Sequence, residues 1–252
     1  QMLYAACFRV MAEISEQLGK DGNVYRQEYE KLTAAIEKFF WDEEKGAYID
    51  SFTSGKRNVT RHANILAILF DIADKQKQEK ILTNVLENDE IPAITTPYFN
   101  FFELDVLCQM GKLTEVLDKI RSYWGGMLDL GAVTFWEEYD PSVPKEEQYD
   151  MYGDHFGKSL CHAWAASPIY FLAKYFAGLD LVNKDGVTYV LKPQMQYFTD
   201  LDCTLPVGSD GTVRLAWDGE CLEVTADAEG GVLELGEEKI SLVRGETRRV
   251  KI

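Results

Sequence analysis

Apolar residues recur at spacings of three and four through the first 178 positions of the chain, and at alternate positions after that. Leu3, Cys7, Val10, Ile14 and Leu18 form one such stripe and predict an amphipathic helix, ended by Gly19 and the pair Asp21-Gly22. Tyr25, Tyr29, Leu32, Ile36 and Phe39 repeat the pattern. A polar turn, Trp41 to Gly46, then leads into a short extended piece, Ala47-Tyr48-Ile49-Asp50. His62 to Ala73 is apolar almost all round, as expected of a helix buried on several sides. His62 and Asn64 at its start either cap it or line a site there. A shorter helix is expected from Gln76 to Leu86. Thr96 suits an N-cap and Pro97 a first helical position, with Gly111 as the stop. Tyr98, Phe99, Phe101 and Phe102 surround that helix and read as core. Leu113, Val116, Leu117 and Ile120 carry a further helix. Ser159 to Phe176 reads as the last one, with His162 and Trp164 in its first turns and Gly178 as its stop.

Beyond Gly178 come short alternating runs: Thr188 to Leu191, Val213 to Trp217, Leu222 to Thr225, Val232 to Leu235 and Ile240 to Val243. Asp218-Gly219 is a hairpin signal between two of them. The reading is therefore a helical domain over residues 1–178 and a small antiparallel β-sandwich over 179–252. Nearly all-apolar helices alternate with one-faced ones, which suits inner helices wrapped by outer ones.

Composition narrows the function. A formal charge of −16, from 42 acidic and 26 basic residues, argues against nucleic acid and against an anionic membrane surface as partners. No run reaches the roughly 18 apolar residues of a membrane span. Cys7, Cys108, Cys161, Cys203 and Cys221 are widely spaced and read as free thiols, mostly small core residues. No Cys/His ligand spacing, P-loop or dinucleotide fingerprint occurs, so neither a metal nor another cofactor is expected. The chain opens already in helical periodicity, without a signal peptide, and is expected to be a piece of a longer protein.

The stretch with most chemistry is Gly131 to Pro141, in which Glu137-Glu138 follow Phe135-Trp136 directly. An aromatic ring can stack on the C–H face of a sugar while a carboxylate accepts a hydroxyl or activates water. The same dipeptide also suits a helix start, where the dipole favours acids. A long polar loop, Ser142 to Phe156, comes next; loops of this length inside a compact domain are often functional.

Five stretches in order resemble the C-terminal half of bacterial α-L-rhamnosidases, glycoside hydrolase family 78. They are Phe40-Trp41-Asp42-Glu43 with Gly46 to Asp50, His62 to Phe70, Thr96 to Phe99, Trp124 to Asp129 running into Gly131 to Pro141, and Ser159 to Pro168. The β region resembles the family's C-terminal sandwich. The resemblance implies an α+β multidomain chain, the second half of an (α/α)6 helical barrel followed by that sandwich. It implies an inverting hydrolase that removes terminal α-L-rhamnose from a rhamnose-containing carbohydrate or glycoside. Glu137 falls where the family has its general base and His162 where it has a sugar-contacting histidine; Trp136 is expected to shape the pocket wall. The family's general acid lies in an acidic motif of the first barrel half, to which nothing here corresponds. This chain alone is accordingly expected to be inactive or nearly so. Its open inner helices are expected to be covered by a homodimer partner or by the missing N-terminal half. Two other readings stand beside this one: another (α/α)6 carbohydrate-active enzyme, such as a glucosidase, trehalase or lyase, and a non-catalytic carbohydrate-binding module.

Overall fold

The computed structural model describes residues 1–184, 187–209 and 211–251. Residues 185, 186, 210 and 252, which belong to the expected sandwich, lie outside the described residues. The helices are α1 (Met2–Gln17), α2 (Asn23–Phe40), α3 (Arg61–Leu69), α4 (Lys75–Ile81), α5 (Pro97–Gln109), α6 (Leu113–Lys119), α7 (Gly125–Asp129) and α8 (Ser167–Phe171). Three of them, α4, α6 and α8, run on into π turns at Leu82–Leu86, Ile120–Trp124 and Leu172–Phe176. The chain forms two compact units, one of Gln1–Gly111 and Gly126–Ala165, the other of Lys112–Gly125 and Ala166–Ile252.

In the first unit α1 and α2 turn back closely on each other. A Cβ added to Gly22 would stand 2.7 Å from the Ala12 carbonyl oxygen, so only glycine fits there. That close approach uses small residues: α1 buries Met2, Ala5, Ala6, Ala12 and Ser15. The apolar stripe of the sequence pattern lies on the other side, with Leu3 59%, Ile14 45% and Leu18 65% exposed. Periodicity thus finds the helix, but the face it buries carries mostly small residues and not the larger ones of the stripe.

Between α2 and α3 the strands β1 (Trp41–Asp42) and β2 (Ala47–Tyr48) pair antiparallel around Gly46, whose φ is +59°. Asp42 is buried and accepts from the Glu44 and Lys45 N–H groups, 3.1 Å each, and from the Arg57 side chain at 2.8 Å. Asn64 is fully buried. Its amide oxygen takes the Tyr48 N–H at 2.8 Å, and its amide nitrogen donates to the Tyr48 and Thr60 carbonyls, 2.9 Å each. Thr60 is the N-cap of α3, so neither His62 nor Asn64 caps it; Asn64 ties α3 to β2. Arg61, buried, donates to Glu103 Oε1 at 3.0 Å and to the Leu86 carbonyl at 2.9 Å, joining α3 to α5. α5 begins as its sequence predicts, with Thr96 as N-cap and Pro97 in the first turn, and Gly111 after it has φ +76°.

The expected helix from Ser159 is shorter at its start. Residues 159–162 are not helical, a 3-10 turn covers Ala163–Ala165, and α8 begins at Ser167. The reason is a competing partner for the main chain: the His162 N–H donates to the Phe135 carbonyl at 2.8 Å, and the Ser159 carbonyl accepts from the Glu137 N–H at 2.9 Å. For the same reason Glu137-Glu138 do not start a helix.

The second unit holds two four-stranded sheets. One has the order β10-β7-β6-β5 and the other β3-β4-β8-β9. The strands are β3 (Leu179–Lys184), β4 (Val187–Leu191), β5 (Leu201–Val207), β6 (Gly211–Trp217), β7 (Cys221–Asp227), β8 (Gly231–Leu235), β9 (Glu238–Leu242) and β10 (Thr247–Lys251). All pairs are antiparallel except β4 with β8, which is parallel because β5 to β7, lying in the other sheet, form the crossover between them. β3, β5 and β10 are additions to the sequence reading. β5 carries Pro206, which an edge strand tolerates. Alternate residues fill the core, among them Tyr189, Leu191, Val213, Leu215, Leu222, Val224 and Leu233. The Asp218-Gly219 turn is wider than a two-residue hairpin, since Trp217 is opposite Leu222. The Asp218 carboxylate closes it by accepting the Glu220 and Cys221 N–H groups at 2.9 and 2.7 Å. All five cysteines are free, but only Cys108 is a core residue; Cys203 and Cys221 are half-buried, and Cys7 and Cys161 are exposed.

Candidate active site

The segment carrying Glu137 is held from both sides within the first unit. On one side it runs beside residues 159–162 through the two main-chain bonds given above, and Thr134 adds a hydroxyl bond to the Leu160 carbonyl. On the other side the Tyr139 N–H donates to the Thr95 carbonyl at 3.1 Å. The Tyr139 ring covers Gly126 so closely that a Cβ there would meet its hydroxyl at 2.3 Å. Thr95, beside the start of α5, and Gly126, about thirty positions later, therefore seat the same short segment.

The two adjacent acids are separated by this geometry. Each acid has its own set of partners. Glu138 accepts the Thr95 hydroxyl at 2.9 Å and lies 3.9 Å from Nζ of buried Lys158. Burial draws the Lys158 ammonium below its ordinary pKa, with Glu138 opposing that shift. Glu138 is thereby committed to the protein. Glu137 is half-buried; Oε2 accepts the Ser159 N–H and Oε1 the Tyr152 hydroxyl, both at 3.1 Å. The hydrogen bond to Glu137 and its charge raise the Tyr152 phenol above its usual range. Tyr152 is itself exposed, on a backbone with φ +56°. Each Glu137 oxygen thus has one fixed donor and keeps lone-pair capacity for a water or hydroxyl.

His162 sits on the segment paired with that of Glu137, and its ring meets Trp164 edge-on at 5.5 Å. From Trp164, 68% exposed, a row of rings continues to Tyr98 at 5.3 Å, to Phe102 at 5.6 Å, to Phe99 at 5.2 Å and to His62 at 4.2 Å. Here the sequence reading is corrected: Tyr98 is half-exposed and Phe99 and Phe102 are partly so, a surface row and not core. The signal was available in the spacing, because Tyr98 and Phe102 stand four apart and so share a helix face. Trp136 is buried, its ring edge-on to Tyr149 at 5.6 Å, and Tyr149 stacks on Phe156 at 5.8 Å. Trp136 is 3% exposed in this chain. Two clefts of this unit, about 710 and 500 Å³, are lined by residues between 1 and 92 and include neither Glu137 nor His162. On this chain the acid and the histidine stand on bonded neighbouring segments, beside an exposed row of aromatic rings.

Among the described residues no group of three or more His, Cys, Asp or Glu side chains is arranged to hold a metal ion, and no helix is long and apolar enough to cross a membrane.

Residues 1–176 match the model of the bacterial alpha-L-rhamnosidase 6 hairpin glycosidase domain family. Among solved structures, the chain is similar to a rhamnosidase from Klebsiella oxytoca with rhamnose bound, at 30% identity and TM-score 0.60, over 69% of this chain and 33% of that one. It is similar to the GH78 family rhamnosidase of Bacillus sp. GL1, at 23% identity and TM-score 0.75, over 94% of this chain and 26% of that one. It is also similar to the Streptomyces avermitilis alpha-L-rhamnosidase complexed with L-rhamnose, at 16% identity and TM-score 0.66, over 92% and 22%. At these identities the last two show the shared fold. The chain spans about a fifth to a third of the length of these structures. The comparison with curated proteins found no match.

Proposed function

This chain belongs to the bacterial alpha-L-rhamnosidase six-hairpin glycosidase domain family, and from that premise we propose that it forms the general-base side of an inverting glycoside hydrolase that removes terminal α-L-rhamnose. Its helices are part of a six-hairpin domain, and a β-sandwich follows them. The proposed division is 1–178 for the catalytic part and 179–252 for the sandwich. The observation that carries the reading is the difference between the two acids. Glu138 is tied to Thr95 and Lys158, while Glu137 is oriented by one donor on each oxygen.

In an inverting hydrolase a carboxylic acid protonates the leaving oxygen, and a carboxylate on the other face of the sugar activates water, the two about 6.5–9.5 Å apart. Glu137 takes the second role. The Ser159 N–H and the Tyr152 hydroxyl fix the carboxylate plane, so that a remaining lone pair can receive the proton of the attacking water. His162 exchanges hydrogen bonds with sugar hydroxyls, for which a neutral imidazole has both a donor and an acceptor. Trp136, packed edge-on against Tyr149, shapes the pocket wall next to the acid. The general acid comes from a part of such an enzyme that this chain does not span, and the 252 residues alone are inactive or nearly so. The exposed stripe of α1 supports a cover for this unit, by a second copy or by further helices of the same barrel.

Glu137→Gln in the full-length enzyme tests the assignment. Release of rhamnose from an aryl α-L-rhamnoside falls roughly 10²–10⁴-fold while rhamnose binding persists, and Glu138→Gln costs far less. The anomer first formed, read by proton NMR, is the inverted one. The row of open rings would equally serve a sugar-binding module without catalysis. Unchanged turnover in Glu137→Gln selects that reading, and release of glucose but not rhamnose selects a different (α/α)6 enzyme.

A further inference from the structure

In the second unit a cleft of about 930 Å³ opens beside the ends of β6 and β8. Trp217, the last residue of β6, lines it, together with Phe198, Leu235 and the polar side chains of Gln194, Gln196, Thr199, Lys192 and Glu234. The indole is half-buried, and its plane is fixed, because Nε1 donates to the Phe198 carbonyl at 3.2 Å. The amides form a chain: Gln196 donates to Gln194 Oε1 at 2.9 Å, and Gln194 donates to the Lys192 carbonyl at 3.1 Å. Glu234 accepts from Lys192 at 2.9 Å and from Lys239 at 2.8 Å, so its carboxylate and both ammonium groups are engaged with one another.

This combination restricts the occupant. An anion would want a cation that is not already paired, and these two lysines share a carboxylate. The Thr199 hydroxyl bonds Asp200 at 3.1 Å, and a purely apolar ligand would cut the remaining hydrogen-bond capacity of these amides and this hydroxyl off from water, at a desolvation cost. A pyranose matches both halves: its C–H face lies on an indole, and its hydroxyls donate to and accept from amides, which can do both. Apolar lining with a few convergent polar groups is also what small-molecule sites generally show. We propose that this cleft binds a neutral pyranose unit of a carbohydrate chain, with Trp217 under the ring and Gln194, Gln196 and Thr199 on its hydroxyls. The site shares no residue with the segment of Glu137 and does not depend on the reading of that acid.

The test is a titration of the 252-residue chain with L-rhamnose and, separately, with cellopentaose, followed by heteronuclear NMR. The Trp217 indole N–H signal and the amides of residues 194–199 shift saturably with at least one of the two sugars. Trp217→Phe and Gln196→Ala each weaken that binding roughly tenfold, the scale expected for losing an anchor residue, and Glu137→Gln leaves it as it was. Should Trp217→Phe lose its fold, Gln196→Ala decides, since Gln196 is exposed. The proposal is overturned if neither sugar moves these signals, or if the shifts survive unaltered in a folded Gln196→Ala protein.

Discussion

The two units solve the same burial problem differently. In the sandwich, side chains alternate along each strand, and the inward set closes on itself: Val213, Leu215, Leu222, Val224 and Leu233 are all fully buried. In the helical unit, α1 buries its alanines and leaves Leu3, Ile14 and Leu18 exposed. A period of two in a strand fixes which side a residue faces, and with two sheets only one side can be core. A helical stripe fixes a direction as well, yet small residues on the opposite side can win the contact when two backbones approach as closely as at Gly22.

The contrast is broken most easily by truncation. Leu215→Ala in the sandwich core is expected to lower unfolding stability by about 2–5 kcal/mol, measured by urea denaturation; a loss no greater than that of an exposed α1 residue would refute the difference in burial. Gly126→Ala ranks next, at about 1–3 kcal/mol, because the Tyr139 ring must leave its seat. The same variant in the full-length enzyme is expected to lower kcat, as the segment of Glu137 loses one of its two supports.

A smaller effect is expected from pH. Burial would raise the Asp42 carboxyl, but hydrogen bonds from the Lys45 N–H, the Arg57 side chain and the Glu44 N–H together outweigh it and hold the group below its ordinary value of 3.8. A lowered carboxyl stabilises the folded state above that ordinary value, and the stabilisation disappears as pH falls through the folded one. Thermal unfolding of the wild type should therefore exceed that of Asp42→Asn at neutral pH, and the gap should close below about pH 3.8. A gap independent of pH would show that packing and not charge is responsible. Least of all should Ile14→Asp change stability, by less than about 0.5 kcal/mol as for other surface positions. It should instead reduce any self-association seen by sedimentation.

Legibility in the sequence followed how local the determinants are. Thr96-Pro97 and Gly111 bound α5 as expected, since cap and stop are properties of neighbouring residues. The start of α8 was misplaced because Ser159 to Ala166 is compatible with a helix, and only Phe135, more than twenty positions earlier, takes the His162 N–H away from one. β5 went unseen because Pro206 argues against a strand until the strand is known to be an edge. At the site, Glu137 and His162 came from the resemblance, and the choice between Glu137 and Glu138 now also has a local reason in Thr95 and Lys158. Tyr98, Phe99 and Phe102 were taken for packing, because composition says how apolar a helix is but not which of its sides stays open. Tyr152 lay within the long polar loop of the sequence reading, but nothing local singled it out there: its contact with Glu137 spans fifteen positions and comes from a residue with a left-handed backbone.

The paired run of residues 134–137 and 159–162 has one more implication. The two segments are tied largely through peptide groups, the Glu137 N–H to the Ser159 carbonyl and the His162 N–H to the Phe135 carbonyl, to which the Thr134 hydroxyl and the Glu137 carboxylate add their own bonds. Exchange of the exposed rings around them therefore leaves the main-chain bonds between the two segments in place.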